Sequence, residues 1–227
     1  DSPCPVKKVG FGEDCDFRII EVEYLKSGSR FTINGERYEV PMVGEFNVRN
    51  AAMAVCSARF AGLSPDQICE GFMSFEGIAR RQQERGEVRG VTVIDDFAHH
   101  PTAIGLAIDG LRQKYPSRRL WVLFEPRSNT TRRSIFQDDL AEALQKADLV
   151  VIPSIPDPEK FAKDDRLDPD KLVEVIRSKG TEAWYLGEVD EIVSHVSGIA
   201  SEGDVIAVLS NGCLLYTSPS PRDREKS

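Results

Sequence analysis

The chain of 227 residues carries 29 Lys+Arg against 37 Asp+Glu, a formal net charge of −8, with 41% hydrophobic and 29% charged residues. That balance describes one globular domain or slightly more and excludes a disordered or fibrous chain. The acidic excess argues against a surface that coats nucleic acid, and no apolar run approaches the roughly 18–20 residues that would span a membrane.

The opening DSPCPVKKVGFGEDCDF lacks the apolar centre of a signal peptide. The five cysteines (Cys4, Cys15, Cys56, Cys69, Cys213) form no C-x-x-C pair, which fits a reducing cytoplasm better than a disulfide framework or a metal site. Cys56 and Cys69, among apolar neighbours, are expected as small core residues. Gly10-Phe11-Gly12 is a lone G-x-G, read as a turn rather than a dinucleotide fingerprint. Residues 6–43 read as short strands: a β-rich run at 17–24, then 30–33 and 37–40 joined by the hairpin dipeptide Asn34-Gly35. Val48, Ala51, Ala52 and Val55 follow helical spacing, and Gly62 stops that run. Ser64-Pro65-Asp66-Gln67 opens a second helix with a capping box, its apolar face Ile68, Phe72 and Phe75.

The polar run 79–87 (ARRQQERGE) reads as a hinge between two domains. Past it the pattern becomes regular. Strands at 91–94, 120–124, 149–152, 183–186 and 205–209 alternate with helices marked by Ile104/Ile108/Leu111, Phe136/Leu140/Leu144, Leu172/Val175/Ile176 and Ile192/Val193/Val196/Ile199. Such alternation predicts an α/β fold with a mostly parallel, doubly wound sheet. Both ends read as cut, because residue 1 is Asp and the chain begins just before what reads as a mid-domain strand. The CLLYTSPSPRDREKS segment, 213–227, lacks periodicity and is expected to be a non-native tail.

Ligands of open α/β sheets sit beyond the carboxyl ends of the strands, which selects three segments. DDFAHHP, after the first strand, offers helix-start amides and imidazoles for phosphate and a carboxylate for a ribose or metal. Equally, Asp95 or Asp96 caps the helix and the histidines are loop residues. EPRSNTTRR, after the second strand, places Arg127, Arg132 and Arg133 on one loop, where guanidinium forks suit carboxylate or phosphate. SNG (Ser210 to Gly212) follows the last strand. Arg80-Arg81 either reaches a phosphate or is solvated, and His195, on a plain helix, is expected to face solvent. No G-x-x-x-x-G-K-[ST] is present, so these residues cannot build a P-loop.

With GEFNVRNAA, FEGIARRQQERGEVRG, DDFAHHPTAI and FEPRSNTTRR in this order, the chain resembles the Mur ligases of peptidoglycan metabolism, most closely their recycling branch, from about residue 6 to 212. The resemblance implies that 1–79 is the end of the central P-loop ATPase-type domain and 80–212 a Rossmann-like C-terminal domain. It implies ATP- and Mg²⁺-dependent joining of UDP-N-acetylmuramate to L-alanyl-γ-D-glutamyl-meso-diaminopimelate through an acyl phosphate. Partners are then UDP-N-acetylmuramate and muropeptides, with no nucleic acid and no membrane. It also places Asn47 and Asn50 near adenine, Arg81 at the ATP ribose or phosphates, Asp96 at the ribose, and His99 and His100 at the phosphate end. Arg127, Ser128, Asn129, Thr130, Ser210 and Asn211 face the incoming peptide. Phe46 stands where the family usually has His. The piece itself, without a P-loop, is expected to be inactive. Three other readings stay open: the L-alanine-adding relative, a metal-dependent phosphohydrolase using Asp95, Asp96, His99 and His100, and a non-catalytic nucleotide- or peptide-binding module.

Overall fold

A computed structural model describes residues 4–212, so the expectation for 213–227 and for Cys213 lies outside the described residues. The chain forms two compact units, one holding residues up to Gly77 with Gln113–Pro116, the other Ile78–Arg112 and the chain from Ser117 onward. Among the described residues no helix is long and apolar enough to cross a membrane.

In the first unit, β1 (Val9–Gly10), β2 (Phe17–Tyr24), β3 (Ser29–Ile33) and β4 (Glu36–Val40) make a sheet in sequence order. The β3–β4 hairpin turns on Asn34 and Gly35, both at positive φ (51° and 81°), the backbone that a two-residue turn demands. Phe31, Ile33, Tyr38 and Val40 pack against Val48, Ala51, Ala52 and Val55 of α1 (Glu45–Phe60) and Ile68 of α2 (Pro65–Met73). The capping box is present, with Ser64 and Gln67 bonding each other's backbone amides. Two details differ from expectation. Phe75 lies past the end of α2 and is partly exposed, and Cys56 and Cys69 are half-buried at the edge of the core, where burial pushes both thiols up.

The second unit carries a six-stranded sheet in the order β5-β6-β10-β7-β8-β9. Its strands are β5 (Gln83–Val88), β6 (Val91–Asp96), β7 (Leu120–Glu125), β8 (Leu149–Pro153), β9 (Glu182–Leu186) and β10 (Val205–Ser210). All are parallel except β5, which runs antiparallel to β6. The polar run 79–87 is therefore not a linker throughout, because most of β5 falls within it. Helices α3 (Pro101–Lys114), α4 (Gln137–Leu144) and α5 (Pro169–Ser178) follow β6, β7 and β8, and α6 (Val189–Ile199) precedes β10. The first three connections step one way across the sheet and the last steps back. Right-handed crossovers thus put α6 on the opposite face from α3–α5.

Alternation within the strands matches this arrangement. Trp121, Leu123, Leu149, Val151, Ile206 and Val208 pack with Ile192 and Val196 of α6. Val122, Phe124, Val150, Ile152, Ala207 and Leu209 are buried on the other face. Only Ile192 and Val196 of the expected α6 stripe are buried, while Val193 and Ile199 are exposed. Phe136 ends a 3-10 turn (Ser134–Phe136) just before α4 instead of starting the helix. His195 is half-buried, with its ring edge-on to Trp184 at 4.6 Å, and does not simply face solvent.

Candidate active site: the carboxyl rim of the parallel sheet

Strand β10 returns between β6 and β7, so three strand ends and their loops lie side by side at one rim. Asp95 and Asp96 end β6, and their side chains leave opposite faces of the sheet. Asp96 is 3% exposed and both of its oxygens are engaged: Oδ1 accepts the Ala98 amide at 2.7 Å and Oδ2 the Gln82 amide at 2.8 Å. Burial pushes its carboxyl above the usual range, against the pull of those two amides and of Arg81. The side chain thereby pins the 80–82 segment to β6, so a ribose hydroxyl would have to share a carboxylate that is already bonded and covered.

Arg80 and Gln82 hold left-handed backbone (φ 60° and 47°), a conformation costing about 1 kcal/mol or more in non-glycine residues. Neighbouring bonds hold them there. The Arg80 guanidinium donates to Ser210 O at 2.6 Å and Gly212 O at 2.9 Å, sits 3.6 Å from Asp95, and stacks over Phe97. Arg80 is thus a brace, while its neighbour Arg81 is exposed and lies over the same ring at 5.5 Å. Nδ1 of His99 contacts Phe97 O at 2.9 Å, which requires the proton on Nδ1 and leaves Nε2 as the free acceptor of the neutral ring. His100 is exposed, and its Nδ1 accepts the Thr102 amide at the start of α3.

At the end of β7 the arginines of the loop part company. Arg132 is 6% exposed and donates to Pro156 O and Asn129 Oδ1, while Arg133 pairs with Asp165. The three arginines of the loop thus have different partners: Arg132 is buried against backbone, Arg133 is exposed in a pair with Asp165, and Arg127 is half-exposed at the rim against Glu125. Ser128 accepts the Thr131 amide in a turn, Asn129 is bonded to Arg132, and Thr130 is exposed. On β10, Ser210 is buried and donates to Glu125, while Asn211 Oδ1 is buried without a partner. Asn47 and Asn50 belong to the first unit. Asn47 is buried with its amide donating to Val43 O, and Asn50 is exposed on α1.

Sequence reasoning missed Glu125, Gly212 and the bracing role of Arg80. Glu125 had a readable signal, an acidic residue closing an otherwise apolar strand. Among the described residues no group of three or more His, Cys, Asp or Glu is placed to hold a metal ion. The rim therefore offers two accessible guanidinium groups, two imidazoles and a helix start, a set suited to anions.

The mostly parallel sheet, with polar loops gathered at its carboxyl rim, defines a doubly wound α/β domain, and its particular kind follows from comparison with known proteins. Residues 80–212 match the family described as "Mur ligase, glutamate ligase domain", and the chain belongs to the Mur ligases. It is 40% identical over 172 residues to UDP-N-acetylmuramate–L-alanyl-γ-D-glutamyl-meso-2,6-diaminoheptandioate ligase of Escherichia coli, covering 75% of this chain and 35% of that protein. It is 34% identical over 210 residues to a UDP-N-acetylmuramate–L-alanine ligase of Nitratidesulfovibrio vulgaris, covering 89% of this chain and 45% of the relative. The crystal structure of a UDP-N-acetylmuramate–alanine ligase from Thermotoga maritima superposes with TM-score 0.75 at 22% identity, over 95% of this chain and 46% of that one. The chain spans about a third to a half of the length of these curated relatives.

Proposed function

We propose that this chain serves an ATP-dependent, amide-forming ligase of peptidoglycan recycling that joins UDP-N-acetylmuramate to L-alanyl-γ-D-glutamyl-meso-diaminopimelate. The observation that carries the reading is Arg127, half-exposed at the rim and seated against Glu125, where it can take a carboxylate of an acidic peptide. Kinship supports it through the match over 80–212 and the 40% identity to the Escherichia coli ligase. The reaction transfers the γ-phosphoryl group of ATP to the muramate carboxylate. The peptide amine then attacks the acyl carbon, the amide C–N bond forms, the acyl C–O bond to phosphate breaks with its electron pair leaving on phosphate, and the amine gives up one proton to solvent or phosphate.

Arg81, beside Phe97, and the His99–His100 start of α3 fit the phosphate end of a nucleotide: a cation, imidazoles and open helix amides. They do not amount to a full ATP site, because no P-loop sequence is present. Mg²⁺ would supply charge neutralisation at the phosphates. Arg127, with Asn211 beside it, would bind and orient the peptide, whereas Ser210 is buried with its hydroxyl engaged by Glu125 and the Gly212 amide and would act only through them.

A second reading, UDP-N-acetylmuramate–L-alanine ligase, draws on the 34% identity over 89% of the chain. The deciding assay uses the protein expressed from its complete reading frame, with Mg-ATP and UDP-N-acetylmuramate. Phosphate release and product mass are followed with the tripeptide or with L-alanine. A kcat/KM at least about 100-fold higher for the tripeptide is expected, a lower bound given that a site whose buried polar groups lose their partner discriminates by about 10⁴–10⁵ and Arg127 is only half-buried. The reverse preference establishes the second reading, and no phosphate release with either acceptor refutes both.

A further inference from the structure

Arg127 does not stand at the rim unaided. Ser210 and Glu125 are register partners on β10 and β7, so their side chains leave the same face of the sheet side by side. Both are buried, Glu125 at 6% and Ser210 at 1% exposure. The Ser210 hydroxyl donates to Glu125 Oε2 and accepts the Gly212 amide at 2.8 Å, which folds the strand end back toward β7. Glu125 Oε1 in turn meets Arg127 Nη1 at 3.3 Å. Gly212 then lies across the arginine stem: a Cβ at that position would fall 2.1 Å from Arg127 Cδ and 2.9 Å from Glu125 Oε2. Arg80 secures the same turn from its other side through the carbonyls of Ser210 and Gly212. A carboxylate this deep is costly to hold and contributes little to stability by itself. What it does here is fix one nitrogen of a rim guanidinium.

We propose that Glu125 is a positioning residue for Arg127. By holding Nη1, with Gly212 as the floor beneath the stem, it presents the remaining guanidinium nitrogens to a carboxylate of the incoming peptide. The inference rests on the ligase reading for the identity of that peptide, but the seat itself is a property of the fold.

Two measurements test it separately. Phenylglyoxal labelling read by peptide mapping is carried out on the unaltered protein, on Glu125→Gln and on Gly212→Ala. Arg127 is expected to react at least about threefold faster in both variants while Arg81 keeps its rate, because only Arg127 loses its charge-assisted anchor or is pushed off its seat by the added methyl. Gly212→Ala disturbs the same seat without removing the Glu125 carboxylate and decides the question if Glu125→Gln does not fold. Equal Arg127 rates in all folded proteins overturn the seat. In the ligation assay, Glu125→Gln is expected to raise the peptide KM about 5–20-fold with the ATP KM within about twofold, and to add nothing further in an Arg127→Ala background. Additive losses in the double variant would assign Glu125 to the core and overturn the positioning role. If the unaltered protein ligates nothing, the ligase reading falls, and labelling still decides the seat.

Discussion

Asp204 provides a quantitative test of how the sheet's amino-terminal rim is held together. It precedes β10, is 3% exposed, and accepts bonds from Arg119 Nε (3.0 Å) and Nη2 (2.7 Å), Trp121 Nε1 (2.9 Å) and the Ser201 amide (3.0 Å). In Asp204→Ala the Trp121 indole, fully buried, is left without its acceptor, a cost of about 1–3 kcal/mol. The Arg119 side chain is 39% exposed and can rehydrate, so that ion pair is discounted to about 0–1 kcal/mol. With the Ser201 bond also lost, the expected total is about 3 kcal/mol. Asp204→Asn keeps one acceptor oxygen for Trp121 and the Ser201 amide but loses the charge and turns an NH2 donor toward the half-exposed Arg119 Nε, so about 1 kcal/mol is expected. The assay is urea unfolding followed by tryptophan fluorescence. Trp121 and Trp184 are the only two tryptophans, and both lie in the second unit, so the signal reports that unit alone. For a slope of about 2 kcal/mol per molar urea, the alanine midpoint falls by about 1.5 M and the asparagine midpoint by about 0.5 M. Equal losses in the two variants, or a loss below about 1 kcal/mol for alanine, would refute the claim that the buried indole sets the cost.

Further outcomes follow from the same contacts. Arg132→Ala is expected to cost about 2–3 kcal/mol, because it strips buried bonds to Pro156 and Asn129, whereas Arg133→Ala, whose Asp165 pair is exposed, costs under about 1 kcal/mol; urea midpoints compare the two. Ser64→Ala removes the cap of α2 and should lower its local stability by about 1 kcal/mol, read as faster hydrogen exchange at the Gln67 amide. At Asp148 and Asp204, burial pushes the carboxyl up, but bonds from Arg112 and Leu120, and from Arg119, Ser201 and Trp121, outweigh it and hold both below the usual range. Their folded values lie below the unfolded ones, so their stabilisation is complete above the ordinary carboxylate range and is lost as pH falls through the lowered values. Asp204→Asn should therefore flatten the acid limb of the stability profile, and an unchanged limb would contradict the assignment. Asp96 has the opposite sign, since its raised carboxyl weakens the fold as it ionises with rising pH.

How much of this was legible in the sequence depended on whether a residue's role is set locally. The parallel strands β6 to β10 are apolar runs bounded by polar turns because most are buried on both faces, and periodicity finds such runs directly. β5 is different: Gln-Glu-Arg-Gly-Glu-Val is exposed almost throughout and carries a register shift at Gly86. It is a strand because β6 offers it a free edge, which no local pattern records. The same limit applies to the loop arginines. Composition shows that EPRSNTTRR is basic, but whether a guanidinium meets a ligand or a carbonyl depends on residues 156–165 returning to it, a non-local event. Asp95 and Asp96 are adjacent in sequence yet face opposite sides of the sheet, and only the position of the 80–82 segment decides that Asp96 is the one bonded to backbone.

The two rims of the parallel sheet differ in what they leave unsatisfied. At the amino-terminal rim, Arg112, Arg118, Arg119, Asp148 and Asp204 bond one another or backbone carbonyls and amides, and none of them is among the described buried atoms that lack a partner. At the carboxyl rim, Asp95 Oδ2 and Asn211 Oδ1 are buried with none, while Arg80 Nε faces Asp95 Oδ1 at 3.6 Å in an ion pair. Buried polar groups without partners cost about 1–3 kcal/mol each, and Asn47 Oδ1, Arg132 Nε and His195 Nε2 are further cases elsewhere among the described residues. The amino-terminal rim has already used its bonding capacity to hold β7, β8 and β10 in register and has little left to offer a ligand. The carboxyl rim keeps two acceptor oxygens unpaired, so water or a ligand reaching them recovers bonds that folding left unmade.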